Sequence, residues 1–296
     1  MARTIRETLA AGRDRLAAAG IESPALDASL LLGEILGMNR SALLVADGDP
    51  LGESSIAAFD GLVGRRVGGE CVAYILGRKE FHGLEFLVDR RVLVPRPDTE
   101  TLVEAALACL SAAGRPLRML DLCTGSGAVA IAVKHRMPCL EVWATDLSAQ
   151  ALEVAEANAG RLLPQGHVNF RRGDLFQALR EALGEPKLEL PTFDLITGNP
   201  PYVLAGEIPG LSPEVRAEPL LALDGGDDGL DLIRNIVPQA PGFLSPGGTL
   251  MLEADPRQMG EIASLLREAG FTDLQTHPDL SGGERVIQAR YPGLSP

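Results

Sequence analysis

Three short segments carry residues whose types and spacing could do chemistry. In Asp121-Leu122-Cys123-Thr124-Gly125-Ser126-Gly127, an apolar run hands over through glycines to a helix-forming stretch. Glycine lets the chain turn sharply and lets a ligand approach the backbone, while the free amides of a helix start offer donors. Asp146 closes the next apolar run and Asp174 the one after it. At the end of a strand, the Asp146 carboxylate can accept both hydroxyls of a ribose and Asp174 can meet an adenine amino group; the plainer role of such residues is to cap the following helix. The third segment is Asn199-Pro200-Pro201-Tyr202. Its prolines fix a stiff, extended backbone and carry no amide hydrogen to occupy nearby acceptors. The Asn199 side-chain oxygen and the Pro200 carbonyl can then accept both hydrogens of one planar NH2 group, with the Tyr202 ring available to stack on it. Together the segments predict a nucleoside-bearing cofactor beside a held amino or amide nitrogen. Gly125-x-Gly127-x-x-Ala130 also meets a relaxed dinucleotide fingerprint, which keeps a nicotinamide oxidoreductase as a competing reading.

The elements around these segments explain how they could meet. RMLDLC is followed by a helix from Ala128, LEVWATD by a helix from Ser148 to Ala159, then come VNFRRGD, FDLITGN and GTLMLEA with a helix to about Ala269. Such alternation predicts a mostly parallel sheet with helices on both faces, whose carboxyl-end crevice receives all three segments. Thr272 to His277 and Glu284 to Arg290 flank a Ser-Gly-Gly turn and are expected to pair antiparallel at one edge. Upstream, Tyr74 to Val94 reads as a strand hairpin turning at Gly77 and Gly83, and Pro97 and Asp98 open a helix through Leu110. The first seventy residues read as a helical bundle: Thr4 to Ala19, a helix opened by Ser23-Pro24 with the Ser23 hydroxyl as cap and stopped at Gly37, and Glu53 to Gly68.

Composition narrows the function classes. The chain has 296 residues, 46% hydrophobic and 23% charged, with a net charge of −13. That is room for about two domains, and too apolar for global disorder. The acidity lies mainly after residue 115, and it argues against a broad footprint on duplex nucleic acid. Seven basic residues from Arg65 to Arg96 against four acidic ones make a modest surplus, read as solvated surface. Cys71, Cys109, Cys123 and Cys139 form no C-x-x-C pair, and His82, His135, His167 and His277 are scattered, so no metal site is expected. In the Asp224-Gly-Gly-Asp227-Asp228-Gly229 stretch, Gly226 and Asn235 fall where a calcium loop needs carboxylates, so it reads as an acidic, glycine-rich loop. With no secretory signal or membrane-spanning run, the cytoplasm is the expected location.

The combination of DLCTGSG, strand-ending Asp146 and NPPY resembles S-adenosylmethionine-dependent methyltransferases that modify planar nitrogen. YILGRKEFHGLEF, VLVPRPDTETLVE, VRAEP followed by ALDGGDDGLD, and ESPALDASLLLGEILG narrow the resemblance to the glutamine N5-methyltransferases of peptide chain release factors, the PrmC (HemK) family, over about residues 20 to 290. The resemblance implies a Rossmann-like α/β class I methyltransferase sheet with a small N-terminal helical bundle and a connecting β-hairpin. It divides the chain into residues 1–73 for substrate docking, 74–95 as connector and 96–296 as the catalytic domain. It implies S-adenosylmethionine as cofactor, S-adenosylhomocysteine as product, and as substrate the Gly-Gly-Gln loop of class I release factors, with no membrane partner.

Carried over residue by residue, Asp121, Cys123, Thr124, Gly125, Ser126, Gly127, Asp146, Asp174, Leu175 and Asn199 would hold the cofactor, and Asn199, Pro200, Pro201 and Tyr202 the amide. Three positions depart from the family pattern: Cys123 where glycine is usual, Ala217 where an aromatic precedes Glu218-Pro219, and EADPRQ, which lacks a glycine after the last-strand Glu. The alternatives are a glutamine on a ribosomal protein, an exocyclic amine of adenine or cytosine in nucleic acid, and a binding module without turnover. In the expected mechanism, alignment of a poorly nucleophilic carboxamide nitrogen is the main contribution, with neither a strong general base nor a metal.

Overall fold

The computed structural model describes residues 3–111, 117–164, 166–182 and 191–293. Contacts divide it into two compact units, residues 3–78 with 212–217, and residues 79–211 with 218–293.

The first unit is helical: α1 (Ile5–Ala18), α2 (Pro24–Leu36), α3 (Arg40–Val45), α4 (Glu53–Val67) and α5 (Val72–Leu76), joined by the short turn Pro213–Arg216. Thr4 and Glu7 form a capping box that starts α1, and Gly37, at φ +64°, ends α2 in the left-handed region where glycine is unstrained. Ser23 precedes α2 as expected, but its hydroxyl makes no capping bond; Pro24 alone starts the helix. Ile5, Leu16, Leu31, Leu32, Leu43, Phe59 and Val63 form the core. Within it Arg66 donates to Asp27 over 2.7 Å and pairs with Glu214 over 2.7 Å. The short helices α3 and α5 were not expected from periodicity, because a single turn shows little of a 3.6-residue repeat.

The hairpin is shorter than the sequence suggested. Strands β1 (Arg78–Phe81) and β2 (Leu84–Leu87) turn at His82-Gly83, but Tyr74 to Leu76 belong to α5, whose left-handed cap is Gly77, and Val88 to Val94 form no strand. Aromatic and β-branched residues there fill the interior outside any strand, as buried Tyr74, Val88, Val92 and Val94 show.

The second unit carries α6 (Glu100–Ser111), β3 (Arg118–Leu122), α7 (Ala128–Arg136), β4 (Glu141–Asp146), α8 (Ala149–Leu162), β5 (Asn169–Arg172), α9 (Gln177–Ala182), β6 (Phe193–Gly198), α10 (Asp231–Gln239), β7 (Leu244–Glu253), α11 (Met259–Glu268), β8 (Thr272–Pro278) and β9 (Glu284–Arg290). The seven-stranded sheet runs β5-β4-β3-β6-β7-β9-β8. The first five strands are parallel; β9 pairs antiparallel with both β7 and β8, so the two late strands do form an antiparallel edge. Strand order reverses between β3 and β6, the position at which an open α/β sheet leaves a crevice beyond its carboxyl ends.

Candidate active site

Strand register brings the three sequence segments together. Leu122 is level with Thr145 on one side and Gly198 on the other, and Asp146 is level with Arg172. The next residues of β3 and β6 are therefore Cys123 and Asn199, side by side, with Asp146 and Asp174 further along the same edge. One cleft is lined by Asp121, Cys123, Thr124, Gly125, Ser126, Asp146, Asp174, Leu175, Asn199 and Pro201. Gly127, Pro200 and Tyr202 do not line it. Gly127 starts α7 at φ +80°, and a Cβ there would lie 2.7 Å from Ile131 and 3.2 Å from Ala155, so it permits close helix packing. Pro200 is buried and Tyr202 half-buried behind the corner. The Tyr202 hydroxyl donates to Glu253 over 3.3 Å.

The glycine loop is braced from several sides. Thr124 donates from its hydroxyl to Asp121 over 2.7 Å, and Thr197 on β6 donates to the other Asp121 oxygen over 2.7 Å. Burial raises the Asp121 carboxyl to about 6 against these donors. Asp146 accepts from the Gly125 N–H and the Ser148 N–H, each over 2.8 Å, which fixes its carboxylate at the cleft. Burial raises its pKa, and the backbone donors oppose that. Asn158 on α8 is fully buried; its NH2 donates to the Ser126 and Leu87 carbonyls, each over 3.0 Å, and its oxygen accepts from Leu87 N–H. This tie was missed by sequence reasoning, although a polar side chain among the apolar positions of α8 is the signal that could have found it.

Cys123 and Leu175, two of the four described non-glycine residues with positive φ, lie in this lining at +55° and +46°. Left-handed backbone is strained for residues with a Cβ, and here it re-aims the chain at the cleft. Burial, then the charges of Asp146, Asp121 and Asp174, push the Cys123 thiol up, so it stays protonated and unreactive. Cys123→Gly is expected to keep stability within about 1 kcal/mol, because relief of strain offsets added chain entropy, whereas β-branched Cys123→Val costs more than about 2 kcal/mol. Thermal melting of the two variants checks this.

The Asn199 corner is held by the acidic glycine-rich loop. Gln258 Nε2 donates to both the Tyr202 and Asp228 carbonyls over 3.0 Å, while Gln258 Oε1 accepts from Asp255 N–H. A Cβ on Gly225 would sit 2.8 Å from the Pro201 oxygen, and one on Gly229 only 2.2 Å from the Tyr202 oxygen. These glycines let two backbones touch. Asp228 pairs with Arg234 over 2.5 Å, which lowers its carboxyl to about 2. Among the described residues no cluster of three or more His, Cys, Asp or Glu could hold a metal. Gly229→Ala, at φ +76°, is expected to displace the corner and cut turnover about 100-fold, as an ångström-scale misplacement does, while cofactor titration stays near wild type.

Asn199 Nδ2 donates to Thr99 Oγ1 over 3.2 Å. No described donor is bonded to Asn199 Oδ1 or to the Pro200 carbonyl, so both acceptors remain available. Arg96, from the same turn as Thr99, donates to buried Glu218 over 2.7 Å and joins PRPDTE to RAEP.

Residues 7–77 match the family model described as PrmC N-terminal domain, and residues 99–209 match the methyltransferase small domain. A release factor glutamine methyltransferase of Deinococcus radiodurans is 40% identical over 289 residues, covering 98% of this chain and 99% of that protein. The chain belongs to the release factor glutamine methyltransferase family. A second member, from Geobacter sulfurreducens, is 41% identical over 288 residues, covering 97% and 96% of the two chains. The solved structure of a methyltransferase from Pyrococcus furiosus aligns at TM-score 0.50 and 19% identity, covering 78% of this chain and 98% of that one, a likeness of fold. The family assignment makes the sheet a Rossmann-like class I methyltransferase sheet and the chain an S-adenosylmethionine-dependent enzyme. No described helix is long and apolar enough to cross a membrane.

Proposed function

We propose that this chain transfers a methyl group from S-adenosylmethionine to the side-chain amide nitrogen of the glutamine in the Gly-Gly-Gln loop of class I release factors. The observation that carries the reading is the Asn199 corner, with two available acceptors, beside the glycine loop at one sheet edge. The donor set fits the cofactor. Asp146 offers a fixed carboxylate for vicinal hydroxyls, and Asp121, Asp146 and Asp174 give the edge a negative potential suited to a sulfonium cation and unsuited to the pyrophosphate of a nicotinamide dinucleotide. When bound, S-adenosylmethionine supplies an electrophilic methyl group.

The residues of the chain do the rest by alignment. A carboxamide lone pair is delocalised into its carbonyl, so the nitrogen attacks only if its face is held toward the methyl group. Asn199 Oδ1 and the Pro200 carbonyl accept the two amide hydrogens and set that face. Orientation of this kind recovers about 7 to 11 kcal/mol of barrier. Bond formation makes the nitrogen strongly acidic, so its proton leaves late without a strong base.

Mass spectrometry of release-factor loop peptides after incubation with the chain and cofactor tests the reading. A single added methyl on the Gly-Gly-Gln glutamine is expected, absent when that glutamine is replaced. Cofactor binding without labelling of intact factor would leave only a binding module.

A further inference from the structure

One buried carboxylate joins the glycine loop to the strand that ends in the Asn199 corner. Asp121 on β3 is level with Thr197 on β6, two residues before Asn199. Asp121 is 2% exposed and Thr197 0%, yet Asp121 lines the cleft. Each of its oxygens has a donor: Oδ2 accepts from the Thr124 hydroxyl and Oδ1 from the Thr197 hydroxyl, both over 2.7 Å. An ionised carboxyl offers about four lone-pair sites, so two donors do not exhaust it. The Thr197 hydrogen has a second acceptor, the Leu120 carbonyl, at the longer distance of 3.5 Å. Alignment of the substrate amide uses neither Asp121 nor Thr197.

A hydroxyl donates more strongly to a carboxylate than to a neutral carboxyl, so two such donors favour the ionised form where burial disfavours it. They hold a negative charge, shielded from water, on the strand beside the one that leads to the Asn199 corner. S-adenosylmethionine is a sulfonium cation at the transferring atom, and S-adenosylhomocysteine is a neutral thioether there; the rest of the two molecules is the same. We propose, resting on the reading of the cleft as the S-adenosylmethionine site with its methyl group at the Asn199 corner, that Asp121 recognises the sulfonium charge and so favours the methyl donor over the spent product, and that Thr197 is a positioning residue that keeps Asp121 in its charged form. A charge in a poorly screened site acts over several ångströms, so direct contact with sulfur is not required. Methyl transfer cancels the attraction and favours release of the product. The ribose contact to Asp146 is common to both ligands, so the ratio of their affinities isolates Asp121.

The groups facing Asp121 are the Thr124 and Thr197 hydroxyls, the Ala130 N–H, the Cys123 thiol and the Asp146 carboxylate. Burial raises the Asp121 carboxyl to about 6, with Thr124 and Thr197 opposing the rise and the Asp146 charge adding to it. As pH falls through that value Asp121 takes up a proton, the attraction for a cation is lost, and the Thr197 hydrogen can turn to the Leu120 carbonyl. The advantage of S-adenosylmethionine over S-adenosylhomocysteine is therefore expected to shrink on the acid side of about pH 6. Removing the Thr197 hydroxyl takes away one of the opposing donors, so the same loss is expected to begin at higher pH.

The test measures Kd for S-adenosylmethionine and for S-adenosylhomocysteine by calorimetric titration of the full chain, as wild type, Thr197→Val, Thr197→Ser and Asp121→Asn, between about pH 5.5 and about pH 7.5. The quantity read is the product Kd divided by the methyl-donor Kd. In wild type it is expected to fall about three- to four-fold from the upper to the lower pH. Thr197→Val is expected to begin this fall about one pH unit higher, which at about pH 6.5 leaves the ratio about three-fold below wild type, and Thr197→Ser to restore the wild-type curve. Asp121→Asn, uncharged throughout, is expected to lower the ratio about ten-fold at about pH 7.5 and to make it level with pH. A wild-type ratio in Thr197→Val across the range, whether the variant weakens both ligands or neither, overturns the positioning role; a wild-type ratio in folded Asp121→Asn overturns the charge recognition. Should Asp121→Asn fail to fold, the Thr197→Val and Thr197→Ser pair decides alone. Failure of folded wild type to bind either ligand removes the underlying cofactor reading and the proposal with it; binding of both with a ratio that no variant moves removes the proposal only.

Discussion

Replacing Asn199 with alanine is expected to cut methyl transfer about 100- to 1,000-fold while S-adenosylmethionine binding stays within about two-fold, the loss typical of one preorganised polar contact aimed at a reacting group. The split follows from position. Asn199 extends β6, and its side chain is anchored on Thr99, whereas the glycine loop proposed to hold the cofactor extends β3 and is braced by Asp121, Asp146 and Asn158. Alanine removes an acceptor for the substrate amide and leaves those braces untouched. Calorimetric titration with the cofactor and radiolabelled turnover on release factor separate the two effects. Normal turnover in this variant would remove the amide-holding role.

Asp146→Ala is expected to show the opposite pattern, with cofactor affinity falling at least about 100-fold. Each hydrogen bond to a charged group is worth roughly 1.5 to 3 kcal/mol, and a buried donor left unpaired adds its own cost. The carboxylate holds the Gly125 and Ser148 amides over 2.8 Å each, so its removal orphans two backbone donors as well as the ribose hydroxyls it would receive. Because the folded pKa of Asp146 is raised by burial, binding is also expected to weaken from a higher pH than an exposed aspartate would give, as protonation removes an acceptor. Turnover at saturating cofactor is expected to recover partly, because the Asn199 corner is untouched. Comparing Kd with kcat at high cofactor checks this. An unchanged Kd would place the ribose elsewhere.

Local chemistry made much of this legible. Prolines and glycines announce themselves wherever they stand, so the NPPY corner and the DLCTGSG loop could be read in isolation, and the alternation after Arg118 fixed the sheet class. The hairpin limits failed because aromatic and β-branched residues serve burial as readily as pairing, as Tyr74 in α5 shows. The helix Asp231–Gln239 was overlooked beside its acidic neighbour because the proline at position 238 reads as a helix breaker, although Ile233, Ile236 and Val237 at helical spacing are the signal that could have found it.

The sequence by itself determined the candidate site's inventory: a glycine loop, strand-ending carboxylates and a rigid Asn-Pro-Pro corner, each a property of adjacent residues. Only the tertiary structure decided their support. Thr99 meets Asn199 across 100 residues, Tyr202 meets Glu253 across 51, and Gln258 reaches back 56 to Tyr202. The acidic loop became a clamp once Gly229 was seen against the Tyr202 backbone. Hydrogen bonds of this reach depend on which strands are neighbours and in what register. That information resides in the packed sheet, and no local pattern of side chains encodes it.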